Sequence, residues 1–158
     1  MKLSELVQRG TILPQLKSTE RDEAISEIMD ALVAAGAVPA ALRKELADAV
    51  LERERRGSTG FGKGVAVPHV KHSKIPQMGA AVAISEHGVD FNALDKQPVY
   101  SIFLLLSPAE RPEEHLQAME VIFKNLSQDK FRRFLRQSAS EADVRSLLDD
   151  ADHHRLSS

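Results

Sequence analysis

A chain of 158 residues, 42% hydrophobic, is long enough to bury a real core as one domain. Its formal charge of -2 shows no basic excess that would select nucleic acid or an anionic membrane, and the absence of cysteine excludes disulfides and thiolate zinc sites. The most apolar stretch, ALVAAGAVPAAL, is too short for a bilayer and is broken by Gly36 and Pro39, while Glu5 stands where a signal peptide needs an apolar run. The expectation is a soluble, cytoplasmic protein with no direct membrane insertion.

The elements alternate between helical and strand periods. Thr19 can cap a helix with Asp22 three residues on, and Ile25, Ile28, Met29, Leu32 and Val33 hold helical spacing up to Gly36. A second helix opens at Pro39 and runs through Leu42, Leu46 and Val50 to a charged turn, with Gly57 as its stop. Short apolar runs follow: GVAV at 64–67, AAVAIS at 80–85 and VYSIFLLLS at 99–107, each bounded by Gly, Pro, Asn or Asp in the manner of strands. VYSIFLLLS lacks clean alternation, which marks a central strand buried on both faces. Helices return at Pro112, with Leu116, Met119, Ile122, Phe123 and Leu126 on one face, and a further helix covers Phe131, Phe134 and Leu135. The last opens at Ser140, with Asp143 three residues later, and buries Val144, Leu147 and Leu148. Residues 151–158, ADHHRLSS, have no apolar face and are expected as a disordered tail. Helices, then strands, then helices, with no repeat or linker, predict a three-layer α/β/α domain.

The run RRGSTGFGKGVAVPHVKH, residues 55–72, nearly spells a nucleotide P-loop: Gly57, four residues, then Gly62-Lys63. A P-loop leads from a strand into a helix and needs Ser or Thr after the lysine to hold magnesium. Here a helix ends, the run leads into a strand, and residue 64 is glycine, so the nucleotide reading fails. Gly60, Gly62 and Gly64 permit positive φ and expose backbone N–H groups to an anion. Pro68 biases Val67 to an extended conformation, so the strand is expected to end there with His69 at its edge. A histidine so held offers a neutral imidazole, with a free pKa of about 6.5, as a nucleophile; the alternative is a hydrogen-bonded structural residue.

Glu54, six residues, then FGKGVAVPH resembles the active-site signature of enzyme IIA domains of the mannitol/fructose class, from the bacterial phosphoenolpyruvate-dependent phosphotransferase system (PTS). With FNALDKQPV and a strand ending LLLSP, the chain is most similar to the nitrogen-regulatory branch, from about residue 3 to 150. The resemblance implies a type-2 enzyme IIA domain over residues 1–150, with a central mixed sheet. It makes His69 the acceptor of a phosphoryl group from an HPr-like phosphocarrier protein, with no cofactor and no metal. In-line transfer between two imidazoles needs an exposed nitrogen and donors around the equatorial oxygens. By the same resemblance Arg53 and His115 support the phosphoryl group, alongside Ser58, Thr59 and the Gly60–Gly64 backbone. Read without it, Arg53 is a solvated charge near a helix C-terminus and His115 an exposed helix residue. Ser58 and Thr59 either satisfy backbone groups at the turn or touch the phosphoryl group. The residue after the active histidine is usually small in that family. Here it is Val70, whose β-branch disfavours positive φ and crowds the approach to His69.

Other sites are weaker. His69, His72 and His115 could offer three nitrogen ligands to zinc, but Pro68 argues against the helical turn that usually presents H-x-x-H, and His153-His154 lie in the tail. No nucleophile elbow accompanies Ser58. Three functions follow: a regulatory phosphohistidine relay acting on target proteins, a sugar-specific enzyme IIA passing phosphate to a IIB domain, and a phosphate-independent binding module, for which Val70 is the only support.

Overall fold

The computed structural model describes residues 1–156; Ser157 and Ser158, part of the expected tail, lie outside the described residues. The chain forms α1 (Leu3–Leu6), β1 (Val7–Leu13), α2 (Arg21–Ala34), a 3₁₀ turn (Ala40–Leu42) and α3 (Arg43–Arg56). Strands β2 (Gly60–Gly62), β3 (Val65–Ala66), β4 (His69–His72), β5 (Gly79–Val89) and β6 (Val99–Pro108) follow. Helices α4 (Pro112–Leu126), α5 (Asp129–Gln137) and α6 (Glu141–Asp152) complete it.

One six-stranded sheet divides the molecule, in the order β1-β5-β6-β3-β2, with β4 also paired to β6. β6 runs antiparallel to β5 and parallel to β3 and β4, and β1 runs parallel to β5, so the sheet is mixed. Its two faces carry separate cores. Ala81, Ala83, Ile102, Leu104 and Leu106 pack under α2 and α3, whereas Ala80, Val82, Ile84, Phe103 and Leu105 pack under α1 and α4–α6. Because both faces of β5 and β6 are covered, alternate residues are equally apolar, and the three-layer α/β/α expectation holds with VYSIFLLLS at its centre.

β3 ends at Ala66, just before Val67-Pro68, but pairing resumes beyond them as β4. β3 and β4 lie against β6 in one register, Val65 opposite Ser101 and His69 opposite Leu105, interrupted only at Val67-Pro68. Pro68 has no N–H to give, but its carbonyl accepts from Leu105 N at 2.9 Å, so the ladder continues through it. His69 therefore begins a strand instead of closing one.

Four more expectations shift. α2 starts at Arg21 with Glu20 as its N-cap residue; Thr19 lies one residue further out, where it and Arg21 pair by backbone with Asp90 (Asp90 N to Thr19 O 2.8 Å, Arg21 N to Asp90 O 3.0 Å), so Thr19 does not cap. Pro39 begins a 3₁₀ turn, and α3 proper opens at Arg43. The inward face of α4 is His115, Ala118, Ile122 and Leu126, with Leu116 68% exposed, a rotation by about one residue from the expected face; on α5, Phe134 is also exposed. The expected tail begins inside α6, which runs to Asp152. Asp152 accepts from Leu3 N at 2.7 Å and from Ser4 N at 3.1 Å, and Leu156 packs on the adjacent core. At the other end of α6, Ser140 caps as its position demands, accepting from Asp143 N at 3.1 Å.

Candidate functional site

The ring of His69 turns back along its own chain. Its Nδ1 lies 2.9 Å from the carbonyl oxygen of Val67. A carbonyl only accepts, so Nδ1 carries the proton and Nε2 keeps its lone pair. Opposite stands His115, at the first turn of α4, with ring centroids 5.5 Å apart. His115 is 5% exposed, and its Nδ1 is 2.7 Å from Ser107 Oγ on β6. The Ser107 hydroxyl has a second acceptor in Met78 Sδ at 2.9 Å, but a thioether accepts weakly. With the hydroxyl proton on the stronger acceptor, His115 Nδ1, the ring's Nε2 carries a hydrogen and can donate.

Both rings are held neutral. Burial is the main force lowering His69; the Val67 carbonyl opposes it, while the charges of Arg53 and Lys71 add to it. Burial, then repulsion from His69 when that ring is protonated and from Lys71, push His115 down to about 4. Lys71 shares the His69 face of β4, two residues along an extended strand. Arg53 lies in the last turn of α3, where Nη1 donates to Gly57 O at 3.0 Å and its charge acts on both His69 and Glu54.

A buried carboxylate braces this arrangement from below. Glu54, 2% exposed, accepts from Thr59 N at 3.2 and 3.1 Å and from the Thr59 hydroxyl. Burial pushes its pKa up, against the hydrogen bonds from Thr59 and the charges of Arg21 and Arg53. Thr59 O in turn accepts from Val67 N at 3.3 Å, and Val67 O holds His69. The chain of contacts thus runs from Glu54 through Thr59 and Val67 to the imidazole.

The other candidates are placed differently. Ser58 Oγ donates to Phe91 O at 3.3 Å and accepts from Gly60 N at 3.0 Å, so it satisfies the turn. Gly60 lets the loop after β5 approach, since a Cβ there would sit 2.9 Å from Ala93 Cβ. Gly64 O accepts from Tyr100 N and Ser101 N at the start of β6. His72 does not join His69 and His115: its Nε2 is 3.5 Å from Glu45 Oε1 and its Nδ1 accepts from Lys74 N at 3.0 Å. Among the described residues no group of three His, Asp or Glu is placed to hold a metal ion. His153 Nδ1 lies 2.8 Å from Asp149 O in its own helix end.

Val70 needs no positive φ. It is an extended strand residue opposite Leu106, 8% exposed within the core under α2 and α3, and successive strand residues point to opposite faces. It therefore points away from His69, and the crowding expected of its β-branch does not arise.

A neutral histidine with a free Nε2, faced by a second neutral imidazole and two cations, stands on the edge of a mixed sheet between helical layers and offers a nucleophilic nitrogen beside positive charge. The profile of the "Phosphoenolpyruvate-dependent sugar phosphotransferase system, EIIA 2" family matches residues 5–151, and the chain belongs to that family, whose proteins are phosphoryl carriers and transferases. It is 30% identical over 152 residues to a fructose-specific EIIABC component of Bacillus subtilis, covering 96% of this chain but only 24% of that protein's length. It is 33% identical over 150 residues to a nitrogen regulatory protein of Bradyrhizobium diazoefficiens, covering 94% of this chain and 95% of the relative. The crystal structure of the nitrogen regulatory protein IIA-Ntr from Neisseria meningitidis superposes with a TM-score of 0.83 at 28% identity, covering 92% of this chain and 98% of that one. Among the described residues no helix is long and apolar enough to cross a membrane.

Sequence reasoning missed three participants. Ser107 orients His115, Lys71 charges the site, and Glu54, quoted only as part of a signature, anchors Thr59. Only Lys71 left a signal, its two-residue spacing from His69, and that is readable only if the strand is known to resume after Pro68.

Proposed function

We propose that this protein is a phosphohistidine relay of the nitrogen-regulatory kind, in which Nε2 of His69 accepts a phosphoryl group from an HPr-like phosphocarrier. The observation that carries the reading is the Nδ1 contact to Val67 O, which leaves Nε2 unprotonated, beside a neutral His115 at 5.5 Å. The Nε2 lone pair forms the new N–P bond as the donor's N–P bond breaks and the donor imidazole leaves with its electron pair. His115 Nε2–H, Arg53 and Lys71 then face the transferred oxygens. Ser58, Thr59 and the glycines from Gly60 to Gly64 shape the turn behind them.

The phosphoryl group brings about two negative charges to a site edged by Arg53 and Lys71, which changes how an acidic or basic partner surface docks there. Likeness to a nitrogen regulatory protein along 95% of its length, and to the Neisseria structure, supports the regulatory output onto target proteins. Similarity to a fructose-specific component supports the second reading, onward transfer to a IIB domain in sugar uptake. The test is incubation with phosphoenolpyruvate, enzyme I and HPr, read as an acid-labile mass gain of one phosphoryl group. Labelling of the parent and none of His69→Ala supports the relay. No labelling with an active donor, or equal labelling of His69→Ala, overturns it.

A further inference from the structure

We propose that the cleft between α5 and the β2–β3 turn is a second binding site, for a small molecule carrying more than one phosphate group. The cleft has a volume of about 680 Å³, a size suited to a small ligand. Lys63 stands on its sheet side, and Arg132, Arg133 and Arg136 on its helix side. The single carboxylate in its lining, Asp129, is paired with Arg132. Asp95 Oδ2 accepts from the Lys63 backbone N at 3.3 Å, but among the described residues no carboxylate forms an ion pair with the side chain of Lys63, Arg133 or Arg136, in a chain whose formal charge is -2.

Three features show that this cleft is built and is more than a basic stretch of helix. Ser101 lines the cleft with the rest of the residue 3% exposed. It alternates with Phe103 and Leu105 on the face of β6 that packs under α4–α6, so it is directed towards α5. A hydroxyl on that wall can donate to a ligand oxygen.

Arg136 is held in place without any anion. Its guanidinium lies over the Tyr100 ring, Cζ 3.5 Å from the centroid. That ring is fixed in turn by Gly64 and Gly88, both at positive φ; a Cβ on either would come within 3.2 Å of it. Lys63 is the third feature. The two-residue turn between β2 and β3 has φ 60° at Lys63 and φ 76° at Gly64, a geometry that favours Asn, Asp or Gly at its first position. A lysine held in that conformation places an ammonium beside the cleft against local preference, a form of strain found where a side chain is used.

The chemistry these groups share is recognition of phosphate oxygens. Arg133 and Arg136 offer planar forks, Lys63 a point charge and Ser101 a hydroxyl donor. Cations on both walls suit two or more linked phosphates better than one. The site is distinct from His69: Val65, in the cleft, pairs with Ser101, whereas His69 pairs with Leu105, four residues or about 13 Å further along the same register. Ligand binding here does not depend on phosphoryl transfer.

The test is titration of the full chain with inorganic pyrophosphate, followed by amide and arginine side-chain NMR shifts, with inorganic phosphate alongside. Saturable shifts confined to Lys63–Val65, Tyr100, Ser101 and α5, and tighter binding of pyrophosphate than of phosphate, are expected. Arg133→Gln with Arg136→Gln should weaken pyrophosphate at least about tenfold, and Ser101→Ala by a few-fold. Arg43→Gln, on the opposite side of the sheet, and His69→Ala should bind as the parent does. The same spectra report whether each variant is folded. Shifts that do not saturate, that spread over basic residues everywhere, or that persist undiminished in the double variant would overturn the proposal.

Discussion

Replacing Val70 by glycine tests whether the residue after His69 limits the site or supports the core. The structure makes it core: 8% exposed, opposite Leu106, in the cluster that includes Leu46 and Val50. Removing a buried valine side chain loses roughly 1.5–3 kcal/mol of burial, and a glycine within a strand adds about 0.5–1 kcal/mol through backbone entropy. A total near 3 kcal/mol is a large part of the roughly 5–15 kcal/mol that holds a domain folded. Urea unfolding should therefore show a clear drop in midpoint for Val70→Gly. At a temperature where the variant remains folded, the initial rate of phosphoryl labelling by HPr should match the parent. Labelling that rises in Val70→Gly while stability stays unchanged would refute this reasoning, and would mean that the valine does obstruct His69.

His115→Ala removes the facing donor and should slow labelling about 100-fold with donor binding little changed; Ser107→Ala, which only frees the ring orientation, should slow it less. Quench-flow labelling at varied HPr concentration separates the two effects, and equal rates in parent and His115→Ala would remove that histidine from the site. Thr59→Val strips the hydroxyl from buried Glu54 and should destabilise by about 1–3 kcal/mol in urea unfolding; no loss would show that the contact carries no weight. The pH dependence has a definite sign. His115 titrates at about 4 when folded and near 6.5 when unfolded, so the unfolded chain binds more protons between these values. Its contribution to stability is complete above about pH 6.5 and is lost as pH falls towards 4. Glu54, whose pKa is raised, acts in the opposite direction, so the test compares slopes: His115→Ala should lose less stability than the parent from pH 7 to pH 5. Identical slopes would contradict the burial of a neutral ring.

What could be read in the sequence was what depends on one element. VYSIFLLLS announced a strand covered on both sides, Ser140 and Asp143 announced a cap, and Pro112 began its helix. What depended on how elements meet stayed hidden. MKLSELVQRG gives no clean period because a four-residue helix passes directly into an edge strand whose register shifts between Val7 and Ile12. On α4 the rows 115, 118, 122 and 116, 119, 123 have the same helical spacing, and hydrophobicity alone selects the one holding Leu116. The actual face buries His115 because Ser107 on β6 waits there as its partner. Lys71 reads as a solvated charge until the strand is seen to run on past Pro68 in register.

On the proposed relay, that continuation lets one arrangement serve both the free and the phosphorylated imidazole. An extended Val67, favoured before proline, points its carbonyl where the His69 ring can fold back onto it, while Pro68 O keeps β6 paired. Arg53 and Lys71 oppose protonation of His69, and Lys71 opposes that of His115, which preserves the Nε2 lone pair as the nucleophile. On the proposed relay, the same two charges would then face an added dianion and favour it, with no side chain required to change protonation state. A carboxylate beside His69 would reverse both effects, raising the imidazole's pKa and repelling the phosphoryl oxygens. The nearest carboxylate in the brace, Glu54, is instead buried under Thr59 and acts on His69 only through backbone. If His69 is the relay's acceptor, the electrostatics before and after transfer are one design, set by which residues β4 and the end of α3 present at the sheet edge.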